Sequence, residues 1–238
     1  MTATAQNIRD LFNRIAPVYD DLNEQLSWGL HRVWKKMAVQ WAEPRRGDRA
    51  LDLCCGSGDL ALLLADAVGP QGDVWGIDFS PAQLATAAQR SQARFPHRAH
   101  SLQWREGDAL AIPCATHTFD CATMGYGLRN VTDIPRALRE LHRVLKPGGK
   151  AAILDFHRPE HPWVRQFQTW YLDHVVLPTA TRFDLTDDYA YIAPSVEGFP
   201  TGHEQIALAH QAGFPTATHY PLFGGMMGVL VVQTAYNR

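Results

Sequence analysis

The chain has 238 residues, 46% hydrophobic and 19% charged, with 22 basic and 24 acidic side chains and a formal net charge of −2. That length fills one core, or one domain with a cap, and the composition excludes a disordered chain. The balance of charge argues against a nucleic-acid partner, since Lys35-Lys36 and Arg45-Arg46 are ordinary surface pairs. No apolar stretch of 18 residues is present to span a bilayer, and Met1 to Asp10 lacks the apolar run of a signal peptide. Cys54, Cys55, Cys114 and Cys121 show no CxxC spacing. No metal is therefore expected, and the cysteines read as small core residues in a reducing compartment, the cytoplasm.

Residues 1–44 read as a helical cap segment ahead of the first core strand. They carry Phe12, Tyr19, Trp28, Trp34 and Trp41, and Pro17 breaks the segment early. A helix is predicted over 31–41, with Leu30, Val33, Trp34, Met37, Ala38 and Trp41 recurring at three- and four-residue steps as its apolar face. Such a prelude either packs on a sheet or closes over a ligand. Strands are then predicted at 50–54, 74–77, 102–105, 119–124 and 150–154. Helices are predicted at 59–68, after Ser80-Pro81, and at 134–145, the last stopped by Lys146-Pro147-Gly148-Gly149. Beyond Asp155 the pattern gives a helix at 163–177, an insertion of little periodicity reaching Gly202, a helix at 203–212, and strands at 216–220 and 227–234.

Alternating strands and helices predict a Rossmann-like α/β domain over 45–238, its parallel strands covered on both faces. The insertion at about 157–202 would form part of an acceptor pocket. The two closing strands, joined by a short link, predict a hairpin at the sheet end. That gives seven strands, mostly parallel with the last antiparallel, which is the class I methyltransferase sheet rather than a dinucleotide half-fold.

The string Asp52-Leu53-Cys54-Cys55-Gly56-Ser57-Gly58-Asp59 is a strand running through a glycine turn into a helix. A pyrophosphate needs the helix N-terminus free of negative charge, yet Asp59 stands there. S-adenosylmethionine has no phosphate, and its ammonium and sulfonium tolerate Asp52 and Asp59. Asp78, at the end of the second strand beside Phe79, suits a ribose, and Asp108 beside Ala109 suits an adenine amino group. Each acid has a plainer reading: Asp52 braces the turn, Asp59 complements the helix dipole, and Asp108 caps a short turn.

Four further strings carry a family resemblance. Phe119 to Asp133 contains Gly127-Leu128-Arg129-Asn130-Val131; the others are Phe12 to Asp20 with Ser27 to Trp34, Tyr189 to Val196 ahead of Phe199-Pro200, and Phe223-Gly224-Gly225. Over about residues 11–232 the chain resembles the quinone-biosynthesis C-methyltransferases, which act on demethylmenaquinone, demethylphylloquinone and related prenylated quinols. Its Cys-Cys-Gly-Ser-Gly and Met-Gly-Tyr-Gly wording is most similar to the cyanobacterial phylloquinone branch. Ser57 stands where many members have threonine, and Asp155-Phe156-His157-Arg158-Pro159 where many have Glu-Phe-Ser-Lys-Pro.

The resemblance implies cofactor contacts at Ser57, Asp78, Asp108, Ala109 and Gly125, and an acceptor that is a phytyl-bearing naphthoquinol. A quinone carbon is electron-poor, so the reduced ring must be the nucleophile and must lose a hydroxyl proton. Arg129, Asn130 and Asp108 resemble a proton-removing network, with His157, Tyr19 and His31 as direct-base candidates. The plainer readings are an Arg129–Asp133 ion pair, a turn asparagine and a loop histidine. Trp163, Phe167, Trp170 and Tyr171, with the N-terminal aromatics and the 189–199 stretch, would line a trough for the tail. Transient contact with a membrane surface and a homodimer are both compatible with this reading. The rivals are a methyltransferase of a soluble phenol or sterol-like acceptor, an NAD-linked reductase and a non-catalytic binding protein.

Overall fold

A computed structural model of the chain describes residues 29–97, 101–159, 161–181 and 192–236. Seven strands form one sheet: β1 (Arg49–Leu53), β2 (Asp73–Asp78), β3 (Leu102–Glu106), β4 (Phe119–Gly125), β5 (Leu145–Phe156), β6 (Thr216–Leu222) and β7 (Met227–Gln233). Their spatial order is β3-β2-β1-β4-β5-β7-β6. β1 to β5 pair in parallel, and β7 runs antiparallel to both β5 and β6. The expected closing hairpin is therefore present, with the last strand inserted inside the sheet. The chain travels β1-β2-β3 outward, then returns to lay β4 beside β1. That reversal opens a crevice at the carboxyl ends of β1 and β4.

Helices α1 (Leu30–Trp41), α2 (Asp59–Val68) and α3 (Pro81–Arg94) precede β3, and α4 (Ile134–Val144) precedes β5. The period-2 alternation of β1 divides the core. Leu51 and Leu53 join Ala137, Leu138 and Leu141 of α4, whereas Ala50 joins Leu60, Leu64 and Val68 of α2 with Ala38 and Val39 of α1. After β5 come α5 (Pro162–Tyr171), a π-helical turn (Leu172–Val176), α6 (Leu177–Thr181), α7 (Ile192–Glu197) and α8 (Gly202–Gln211). A full capping box between Thr201 and Glu204 starts α8.

Two local expectations are revised. The helix over 31–41 exists, but His31, Lys35, Ala38 and Val39 are its buried residues, and Val33 is exposed. Trp34 and Trp41 instead meet Phe223 and Tyr220 at ring-centroid distances of 5.7 and 4.7 Å. The fifth strand starts at Leu145, which is fully buried and pairs with Phe119. Lys146 to Gly149 is thus a bulge within β5, followed by Lys150 pairing with Cys121. Phe12, Tyr19, Trp28, Tyr189 and Tyr191 lie outside the described residues.

Candidate active site

The loops after β1, β2, β3 and β4 meet at the crevice and enclose a cavity of about 370 Å³. Its walls include Asp52, Gly56, Ser57, Asp78, Phe79, Asp108, Ala109, Gly125 and Asn130 from among the expected site residues. Gly58, Arg129 and His157 are not part of the wall. The walls also include Lys35, Gln83, Glu106 and Tyr126. Glu106 ends β3, one residue beyond the strand predicted at 102–105, and Lys35 had no local signal.

The acids at the strand ends hold the loops in place. Asp52 is 1% exposed. It accepts from the Ala61 amide and the Thr123 hydroxyl, both at 2.9 Å, so it joins β1, β4 and α2. Burial pushes its carboxyl up to about 7, against the lowering effect of those two bonds. Asp78 accepts from the amides of Gly56 and Ser80, both at 2.9 Å, tying the glycine turn to the end of β2. Burial raises its carboxyl as well. Asp108 accepts from the Leu110 amide at 2.9 Å. The bracing readings of Asp52 and Asp108 therefore hold, Asp78 braces as well, and all three residues still line the cavity.

Asp59 begins α2 and is gripped from two sides. Lys35 Nζ donates to Oδ2 and Arg90 Nη2 to Oδ1, each at 2.5 Å. Burial would raise this carboxyl, but the two cations more than offset it and hold it at about 2. Arg90 also donates to the Ser57 hydroxyl at 2.7 Å. The field of Asp59 is thus largely offset before it reaches a ligand, so Asp59 is not the group that repels a pyrophosphate. Gly58 shapes the turn: its φ is +88°, and a Cβ there would lie 2.7 Å from Trp104.

Beyond β4 the chain bends sharply. Tyr126 has a φ of +59° and Cys54, at the end of β1, +54°. Two side-chain-bearing residues in the left-handed region, both on the cavity wall, mark a loop pair held against local preference. Arg129 is what holds one of them. Its guanidinium is buried against Asp155, donating at 2.5 Å, with its own backbone amide donating to the same carboxylate at 3.1 Å. Asp133, the partner in the plainer reading, instead caps α4 by accepting from the Arg136 amide. Arg129 Nη1 and Asn130 Nδ2 both donate to the Tyr126 carbonyl at 3.1 Å. His157 is buried at the end of β5, its ring 4.5 Å from that of His219. His31 is buried on α1.

The cavity suits S-adenosylmethionine. Asp78, Glu106 and Asp108 line it together with Asp52 and the ion-paired Asp59, an acidic set that suits a ligand with two cationic groups. At Gly56 the wall is open, since a Cβ would meet only Gln83 Oε1 at 3.8 Å. Solved structures share the architecture at low identity. A SAM-dependent methyltransferase from Aquifex aeolicus superposes with a TM-score of 0.62 at 17% identity, covering 84% of this chain and 89% of that one. The 4+2 cyclase SpnF does so with a TM-score of 0.64 at 17% identity, covering 99% and 98%. The same frame therefore serves different chemistries, and the fold alone does not choose between them.

Sequence relatives are nearer. A 2-phytyl-1,4-naphtoquinone methyltransferase of Nostoc punctiforme is 60% identical over 226 residues, covering 95% of this chain and 97% of that protein. The chloroplastic 2-phytyl-1,4-beta-naphthoquinone methyltransferase of Arabidopsis thaliana is 52% identical over 225 residues, covering 94% and 86%. The profile of the ubiE/COQ5 methyltransferase family matches residues 1–235. With an acid-lined cavity at the β1/β4 switch point and a match of that extent, the chain is an S-adenosylmethionine-dependent methyltransferase and belongs to the ubiE/COQ5 methyltransferase family.

Proposed function

We propose that this enzyme methylates a ring carbon of 2-phytyl-1,4-naphthoquinol, the final methylation of phylloquinone biosynthesis. The observation that carries the reading is 60% identity, over nearly the whole of both chains, to a relative of that name. Bound S-adenosylmethionine supplies a methyl group on a sulfonium. Gly56, Ser57 and Gly58 form the turn that admits it, above Asp52. Asp78 and Phe79 take the ribose side, Asp108 and Ala109 the adenine side, and Gly125 keeps the end of β4 clear.

Asn130 lies on the cavity wall beyond the end of β4, and its amide nitrogen is committed to the Tyr126 carbonyl. Its amide oxygen is the acceptor that orients a ring hydroxyl or a water. Asp108 offers a carboxylate oxygen to receive the hydroxyl proton through water. Arg129 is a positioning residue, fixing the carbonyl that Asn130 shares. His157 stands behind the wall, where it supports the β5 end.

The phytyl tail must come from a lipid phase, and α5 has the surface for one. Trp163, Phe167 and Trp170 share a helix face and are 75%, 47% and 50% exposed. Gln168 is the buried residue of that helix, donating to the carbonyls of His157 and Met226. A helix that buries glutamine and exposes three aromatics is built to meet an apolar phase, and Trp suits its boundary with water. No helix among the described residues is long and apolar enough to cross a membrane, so the contact proposed is peripheral.

The test incubates purified protein with labelled S-adenosylmethionine and 2-phytyl-1,4-naphthoquinone, reduced or oxidised, with demethylmenaquinol, a prenylated benzoquinol and soluble phenols in parallel. Label on the ring carbon of the reduced phytyl substrate is expected, with none on the oxidised form. Absence of transfer under reducing conditions overturns the proposal, and faster transfer to another quinol reassigns the acceptor.

A further inference from the structure

The cavity contains a problem of charge. S-adenosylmethionine carries an ammonium and a sulfonium, but also one carboxylate. Asp52, Asp78, Glu106 and Asp108 line the walls, so that single anion meets acids away from Asp59, whose charge Lys35 and Arg90 offset. Lys35 is the one cationic side chain among the described residues of the wall.

Its setting is unusual for a lysine. Lys35 is 6% exposed, on the buried face of α1, with its ammonium 5.8 Å from the centre of the Tyr126 ring. One of its three N–H donors goes to Asp59 Oδ2. Asp59 gives its other oxygen to Arg90, so the carboxylate is held from both sides and fixes where the Lys35 ammonium lies. The same place is the start of α2, where Gly58 provides no side-chain cap and the positive end of the helix adds to the field.

We propose that Lys35 binds the carboxylate of the cofactor's methionine moiety, so that cofactor binding and the docking of α1 are one event. Asp59 and Arg90 aim the ammonium, and Asp52, close by on β1, is left to the cationic groups of the same moiety. The inference rests on the cofactor assignment, not on the identity of the acceptor.

The test uses two ligands that differ only in the carboxylate: S-adenosylmethionine and its decarboxylated form. Calorimetric titration of the unaltered protein should show a preference of about 10- to 100-fold for the carboxylated ligand. A preference below about threefold overturns the proposal without any variant being made. In Lys35→Met the preference should collapse, because only S-adenosylmethionine loses affinity. Lys35→Arg should keep most of it. Equal losses for both ligands in Lys35→Met would overturn the proposal by showing that Lys35 merely props Asp59. If neither ligand bound the unaltered protein, the cofactor assignment itself would fall, an outcome distinct from all of these.

Discussion

The two sides of this molecule are built on opposite principles. Around the cofactor cavity, acids are spent twice: Asp52 and Asp78 hold backbone amides of α2, the glycine turn and the start of α3 while lining the cavity. Along α5, the apolar side chains Trp163, Phe167 and Trp170 stay at least about half exposed, with Trp170 stacked between Phe167 and His174 of its own helical stretch, and a glutamine takes the buried position. The first side is preorganised by hydrogen bonds whose loss would disturb stability and binding together. The second is an interface awaiting another phase, where stability and function should separate. Substitutions can test that division directly.

The largest effect is expected at Arg129. Arg129→Leu leaves Asp155 buried without its cation, which costs about 3–5 kcal/mol. For a chain of this size that lowers the melting temperature by on the order of 10 °C. A further Asp155→Leu change should recover most of the stability, because the uncompensated charge is then gone. Methyl transfer should stay low in the double variant, since the Tyr126 carbonyl still lacks its second donor. Unchanged melting with lost turnover would contradict the bracing role and put the guanidinium in the chemistry.

A smaller effect is expected at Asp52. Its folded value of about 7 lies above the ordinary 3.8. Below the ordinary value both states are protonated, and the group contributes no difference. Between about 4 and 7 the unfolded chain ionises this group while the folded one does not. Stability contributed by Asp52 therefore declines as pH rises through that window. Asp52→Asn should remove this slope while costing about 1–3 kcal/mol, because an amide nitrogen cannot accept from both the Ala61 amide and Thr123. A cationic ligand favours the ionised form, so S-adenosylmethionine binding near pH 6 should release up to about one proton. Titrations in buffers of different ionisation heat would read that release, and proton uptake would contradict the assignment.

How much of this was legible in the chain follows the range of the interactions. The glycine turn, α2 and β1 depend on near neighbours, and they read directly from Ala50 to Val68. What failed to read is set by pairs far apart in sequence. Arg129 read as a proton-removing residue, with Asp133, four residues on, as its plainer local partner; the residue it pairs with, Asp155, is 26 residues away at the end of the adjacent parallel strand. Lys35 looked like a solvent-facing lysine, and Asp59, which draws it inside, is 24 residues later. That one pair also accounts for the turned face of α1, since burying Lys35 puts Val33 outside. The long-range pairs were recoverable in principle from topology, because β4 and β5 must be neighbours in this sheet.

The smallest effect on stability, and the sharpest separation, is expected on α5. Trp163 and Trp170 are at least half exposed, so replacing both by serine should change stability by no more than about 0.5 kcal/mol per site. The same change should reduce binding to anionic phospholipid vesicles by about tenfold or more, as expected for withdrawing two indoles from an interface. Turnover should fall on phytyl substrate presented in vesicles and hold on a short-chain analogue in solution. Flotation with vesicles would measure the first, and the ratio of rates on the two substrates the second. If vesicle binding survives, or if sedimentation shows a dimer that the double substitution dissociates, the aromatic face belongs to a second copy of the chain. A stability loss of several kcal/mol would instead mean that α5 is packed like the cofactor side, and the contrast between the two halves would be lost.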